Sequence, residues 1–280
     1  MSQPWQYATS LAKVVSARPK YEESAWIGHL PFANWIIQKK NPKTFVELGT
    51  HTGASYFSFC DAILQEKSPA KAFAVDTWQG DAHAGFYDHE VFGRVELRNQ
   101  VYETFSTLLR MEFDSASSHF EDKSIDLLHI DGLHTYQAVR HDFETWRPKL
   151  SQGAIVLFHD TQVRERGFGV KKFWEEISAQ YPSIELLHSF GLGILEITSE
   201  PAQIIPTAPE ERAEFVKFFE EIGQVELDRY STSTRHMTEI NQMRAHIEAL
   251  QKDRREILNS FSWRITKPIR EMARGFRSNH

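Results

Sequence analysis

The sequence predicts an α/β protein whose sheet is mostly parallel, covered by helices on both faces, closed by an antiparallel hairpin and followed by a helical extension. Three observations predict it. Short apolar runs alternate with helical segments between residues 44 and 198, the last two runs flank a single glycine, Gly191, and beyond residue 211 the apolar positions take helical spacing. Runs that are apolar throughout, rather than alternating, read as strands buried on both faces, as in a parallel sheet covered by helices.

Residues 1–43 are expected to form two helices that cover the site described below. The second, near residues 23–40, carries Trp26, Ile27, Leu30, Phe32, Ala33, Ile36 and Ile37 as a broad apolar face interrupted by Pro31. The strands follow within residues 44–198: TFVEL (Thr44–Leu48), KAFAVD (Lys71–Asp76), a weaker LLRMEF (108–113), IDLLHID (125–131), AIVLFHD (154–160), IELLHSF (184–190) and LGILEI (Leu192–Ile197). Only a tight turn at Gly191 separates the last two, so they must pair antiparallel. Residues 199–211, SEPAQIIPTAPEE, are proline-rich and read as a linker.

Residues 212–260 read as helical. Ile240, Met243, Ile247 and Leu250 recur at steps of three, four and three, a heptad seam that Arg254 breaks and Ile257 resumes. This stretch is either a short coiled coil joining copies of the chain into a homo-oligomer, or a helix packed back on the domain. Residues 261–280 form a basic amphipathic tail. Ile265, Ile269, Met272 and Phe276 share one helical face, and Arg264, Lys267, Arg270, Arg274 and Arg277 surround it. Such a stripe suits an anionic membrane surface or a protein partner.

The chain has 280 residues and a formal net charge of -6, which argues against binding nucleic acid by bulk electrostatics. Its single cysteine, Cys60, excludes an internal disulfide and a Cys-based zinc site. The N-terminal MSQPWQYATSLAKVV lacks the cationic start and apolar core of a signal peptide, so a cytoplasmic location is expected.

The strongest local signal is FVELGTHTGAS. A buried strand runs through Glu47, then Gly49 and Gly53 bracket a turn into a helix where Ser55 stands near the start. Asp76 ends the next strand. Ligands of a doubly wound sheet bind at the carboxyl ends of its strands, which places Asp76 to accept hydrogen bonds from two ribose hydroxyls. A dinucleotide site wants G-x-G-x-x-G for its pyrophosphate. Here the spacing is G-x-x-x-G, and the carboxylate of Glu47 would repel a pyrophosphate. It suits instead the cationic end of S-adenosylmethionine (SAM). Alternatively, the glycines serve only a tight turn and Asp76 caps a loop.

The chain resembles the class I SAM-dependent methyltransferases of bacterial surface-polysaccharide (glycosyltransferase) gene clusters. SAWIGHLPFANWII, FVELGTHTGASYFSFCDAI, VDTWQGDAHAGFYD, IDLLHIDGLHTYQAVRHDFETW, PKLSQGAIVLFHDTQVRERGFGV and FGLGILE carry the resemblance. It implies the Rossmann-like class I methyltransferase sheet, SAM as cofactor and methyl transfer. By this match Glu47, Gly49, Thr50, Gly53 and Ser55 line the cofactor pocket, Asp76 takes the ribose, Thr77 and Trp78 lie beside it, and Asp114 and Ser115 form the adenine-side loop.

Two further strand ends, in HIDGLHTY and LFHDT, gather Asp131, His134, His159 and Asp160 where the SAM methyl group should point. An alcohol is a poor nucleophile until it loses its proton, so oxygen methylation needs a base or a metal. Asp131 and Asp160 are candidate ligands for a hard divalent cation such as magnesium, as in metal-dependent O-methyltransferases, although His159 departs from their paired acids. The alternative is His134 or His159 as general base. Asp131 also has a plain structural reading, as part of the cap of the next helix. His129 reads as a core residue, and His141 and Asp142 as surface or supporting groups. The polar loop 77–90 reads as a lid, with Trp78, Asp81, His83 and Tyr87 near SAM or the acceptor. Arg164 and Arg166 are candidates for a sugar phosphate or acidic glycan. The expected function is O-methylation of a sugar or glycan intermediate. Its rivals are hydroxylase-like chemistry on the same fold and a non-catalytic SAM-binding scaffold for a glycosyltransferase partner.

Overall fold

The structure, a computed structural model, describes residues 24–81, 85–86, 89–164, 167–198 and 202–270. The first expected helix, His83, Tyr87, Arg166 and the tail positions Met272, Arg274, Phe276 and Arg277 lie outside them. The chain divides into two units, Met1–Leu227 and Asp228–His280.

The first unit opens with a 3-10 turn, Ala25–His29, whose Trp26 amide is capped by the Ser24 hydroxyl. It runs directly into α1 (Leu30–Lys40), with Pro31 in the first turn, where its missing N–H costs nothing. Pro31 therefore starts the helix instead of interrupting it. The elements that follow are β1 (Thr44–Leu48), α2 (Ala54–Glu66), β2 (Lys71–Asp76), α3 (His89–Asn99), β3 (Ser106–Arg110), α4 (Phe113–Ser117) and β4 (Ile125–Ile130). After them come α5 (Tyr136–Trp146), β5 (Leu150–His159), α6 (Val170–Ile177), β6 (Ser183–Leu186), β7 (Leu192–Ile197), α7 (Pro209–Asn259) and α8 (Phe261–Ile265).

The seven strands lie in the order β3-β2-β1-β4-β5-β7-β6. The first five are parallel, and β7 pairs antiparallel with both β5 and β6. The chain crosses from β3 back past β1 to β4, so the switch point lies where β1 and β4 adjoin. Side chains alternate across the sheet. Val46, Leu48, Leu128, Ile130, Val156 and Phe158 pack against Phe143, Trp146, Phe173 and Trp174 of α5 and α6. On the opposite face Phe45 meets Phe59 of α2 at 4.5 Å between ring centres. The start of α7 covers this side too, where Phe215 and Phe219 pack edge-on against Trp35 and Phe32.

Several boundaries differ from the sequence reading. β3 ends at Arg110, paired with Asp76 at the end of β2, and Phe113 already belongs to α4. β6 ends at Leu186, and the turn extends through Ser189, Phe190 and Gly191, all with positive φ. The expected 199–211 linker is anchored: the buried carboxylate of Glu196 accepts the backbone N–H groups of Gln203, Ile204 and Ile205 at 2.9–3.2 Å. α7 begins at Pro209, three residues before the expected start. Residues 80–81 and 85–86 of the expected lid form a two-residue antiparallel bridge. No helix among the described residues is long and apolar enough to cross a membrane.

Candidate active site

The carboxyl ends of β1, β2, β4 and β5 open on one cavity of about 930 Å³, at the upper end of the range for small-molecule pockets. Its lining includes Gly49, Thr50, Ser55, Asp76, Thr77, Asp114, Ser115, Asp131, His134, His159 and Asp160.

Gly49 turns the chain out of β1 at φ +87°, with its N–H on Val75 O at 3.0 Å. A Cβ there would sit 2.1 Å from the Asp131 carbonyl oxygen and 2.9 Å from the Gly132 Cα. Backbone cannot yield as a side chain can, so this closest approach of the β1 and β4 loops admits only glycine. Gly49→Ala is expected to destabilise the domain by roughly 2–3 kcal/mol, from strain at positive φ plus the clash, and thermal denaturation would measure it.

Asp76 organises this loop. Its Oδ2 accepts from the N–H groups of Thr50 and His51 at 2.8 and 2.9 Å, and its Oδ1 accepts from Trp78 N–H at 2.7 Å. A carboxylate has about four acceptor positions, so capacity for a ligand hydroxyl remains.

Three expected cofactor residues lie behind the cavity wall instead of in it. Glu47 is fully buried, its Oε2 2.8 Å from His129 Nδ1, because parallel register sets the two residues side by side. Burial pushes its carboxyl up, against the opposing pull of His129. Gly53 is the αL residue that starts α2, close against Phe57. Trp78 is 1 % exposed, packs on Phe92, and donates its indole N–H to His51 O. All three shape the loop from beneath.

The ends of β4 and β5 carry a cluster of two carboxylates and two imidazoles. His134 Nε2 lies 3.3 Å from Asp131 Oδ1 and 3.0 Å from Asp160 Oδ2. His159 Nδ1 lies 3.5 Å from Asp131 Oδ1 and 3.2 Å from Asp160 Oδ1. Asp160 holds its place at φ +63°, a strained conformation for a residue other than glycine. Burial opposes charge on all four groups, but their mutual interactions win. The Asp131 carboxyl is held well below its usual value by the charge of His159 and its hydrogen bonds to both imidazoles. Bonds to both carboxylates raise His134 to about 9, and the charge of Asp131 leads the rise of His159 to about 10. Both imidazoles therefore carry a proton near neutral pH and neither accepts one in that state. Thr135 caps α5, its hydroxyl accepting from Ala138 N–H. Asp131 is not needed for that cap.

Residues beyond the sequence reading complete the site. Trp26 lines the cavity and packs at a tilt against the buried imidazoles, 4.6 Å from His129 and 5.6 Å from His159 between ring centres, while its indole N–H donates to Ser58 Oγ. His29 continues the line of rings toward His188, and burial holds it well below the usual histidine range, hence neutral. His141 and Asp142, read as peripheral, both line the cavity. His141 Nε2 sits 2.9 Å from Asp114 Oδ1, and burial raises Asp142 to about 7. Their spacing from Ala138, three and four residues along α5, was the available signal. Arg164 is exposed and outside the cavity lining.

Residues 46–161 match the protein family described as "Methyltransferase domain". The chain is 52 % identical over 172 residues to uncharacterized protein y4gI of Sinorhizobium fredii, an alignment covering 61 % of this chain and 19 % of that protein. It thus spans about a fifth of that relative's length. Among solved structures, a provisionally named caffeoyl-CoA O-methyltransferase from Staphylococcus aureus superposes with a TM-score of 0.50 at 17 % identity. That match covers 70 % of this chain and 93 % of the other, and shows a shared fold. An O-methyltransferase from Bacillus cereus, solved with SAH, aligns over 68 % of this chain and 90 % of its own at 14 % identity and TM-score 0.47.

Proposed function

We propose that the chain transfers the methyl group of SAM to a hydroxyl oxygen of a sugar or glycan intermediate in cell-surface polysaccharide assembly, a reading supported by the match of residues 46–161 to the methyltransferase-domain family. The observation that carries this reading is the Asp131–His134–His159–Asp160 cluster, which opens on the same cavity as Asp76 and the Gly49 turn. One cavity thus offers a cofactor edge and a reaction edge.

Asp131, His134 and Asp160 each present one ligand atom, and these atoms lie within 4.8 Å of one another. This set fits a divalent cation, which on binding would displace the proton that His134 otherwise holds between the two carboxylates. The imidazole nitrogen favours manganese or zinc over magnesium, which prefers oxygen ligands throughout. Such an ion, when bound, supplies positive charge that acidifies a neighbouring hydroxyl. The chain's own residues do the rest. Asp76 holds the ribose. Asp114, Ser115 and Asp142 face the base. Trp26 and the rings beneath it keep water from one wall. The acceptor oxygen forms a bond to the methyl carbon, the carbon–sulfur electrons pass to sulfur, and the hydroxyl proton leaves through the carboxylate cluster to solvent. Thr52, Thr77, Gln79 and Glu112 give the cavity hydrogen-bonding partners suited to a polyhydroxylated acceptor. The complete cluster also speaks against a scaffold that has lost its catalysis.

The test is incubation with methyl-labelled SAM and a panel of nucleotide sugars and lipid-linked glycans. Label should pass to a sugar oxygen, chelator should lower the rate at least about tenfold, and manganese should restore it better than magnesium. Full activity in chelator would remove the cation from this reading. Label appearing only on non-carbohydrate acceptors would refute the acceptor class.

A further inference from the structure

The second unit begins inside α7, and none of its described residues is buried. A lone helix in water is marginal without an apolar face to cover. This one carries such a face. Ile240, Met243, Ile247, Leu250 and Ile257 fall on alternating a and d positions of a heptad and are 42–64 % exposed.

The composition of that seam names its occupant. Isoleucine stands at two a positions, 240 and 247, and leucine at the d position 250, a choice that favours two parallel strands. The flanking charges agree. Glu239 holds a g position and Arg244 the e position five residues later, the pair that faces across a parallel dimer. Arg254 occupies the next a position directly after Asp253 at g, so each arginine of a parallel pair meets the other strand's aspartate. A polar a residue with its own counter-charge fixes register at some loss of stability. An antiparallel pairing sets g against g and e against e, and leaves Glu239 and Arg244 apart.

From this pattern we infer that residues 239–258 pair in parallel and in register with the same segment of a second copy, making the protein a dimer through a two-stranded coiled coil. The seam shares no residue with the catalytic cavity, so the dimer is independent of the acceptor.

Sedimentation equilibrium of the full chain tests it. The wild type should sediment as a dimer, and the double variant Ile247→Glu, Leu250→Glu as a monomer that still binds SAM. Glu239→Arg and Arg244→Glu should each weaken the dimer about tenfold, since two attractive pairs become repulsive. Mixing the two single variants should restore wild-type affinity, because positions 239 and 244 then carry opposite charges across the seam only in a parallel, in-register pair. A monomeric wild type, a dimer indifferent to the double glutamate variant, or a mixture no tighter than its components would each overturn the inference.

Discussion

Asp131→Asn and Asp160→Asn are each expected to lower methyl transfer by about a thousandfold or more, roughly 4 kcal/mol in the barrier, while changing SAM affinity little. Each carboxylate is a hub: Asp131 Oδ1 lies within 3.5 Å of both His134 and His159, and Asp160 contacts the same two rings with different oxygens. Replacing either by an amide keeps the shape and removes the charge. The cluster loses one of the two charges that hold its imidazoles, and the proposed cation site loses one of its three ligand atoms. The cofactor's ribose is expected at Asp76, so its binding should persist. Steady-state rates with labelled SAM, beside equilibrium binding of SAM, separate the two effects. A variant with normal turnover would remove the cluster from the reaction.

Asp76→Ala should act on the other quantity, weakening SAM binding by more than about a hundredfold. Its carboxylate receives three backbone N–H groups, from Thr50, His51 and Trp78. Alanine therefore removes the expected ribose contact and also frees the turn between β1 and α2. A hydrogen bond to a charged acceptor contributes about 1.5–3 kcal/mol, and here the ligand bond and the loop's order are lost together. Asp76→Asn keeps the size and one acceptor oxygen and should fall between the two. An alanine variant binding SAM as tightly as wild type would place the cofactor elsewhere.

Much of the fold and the acids of the site were legible in the sequence for one physical reason. Strands buried on both faces are apolar until they surface, so the polar residue closing each run marks a strand end, and parallel strands bring those ends to a common edge. Asp76, Asp131 and Asp160 mark such ends, and the structure brings all three to one cavity. What stayed hidden depends on packing between distant segments. Nothing local in AWIGH says that Trp26 covers His129, or that His29 lies between His159 and His188. Nor does Glu47 announce that it spends its carboxylate on His129, since that contact follows from the register of β1 with β4. The family resemblance and the polar loop that follows Asp76 both point Trp78 toward the cofactor. Its buried indole instead holds the His51 carbonyl. The third strand reads too long because Met111 and Phe113 extend an apolar run past Arg110, into the helix that opens at Phe113.

If the β1–β2 edge of the cavity is a SAM site, calorimetric titration of the purified wild-type chain with SAM and with its demethylated product SAH reads it most directly. Both should bind saturably at one site per chain, with binding lost in Asp76→Ala and kept in Asp131→Asn. A wild-type protein that is folded by circular dichroism and takes up neither molecule would contradict it.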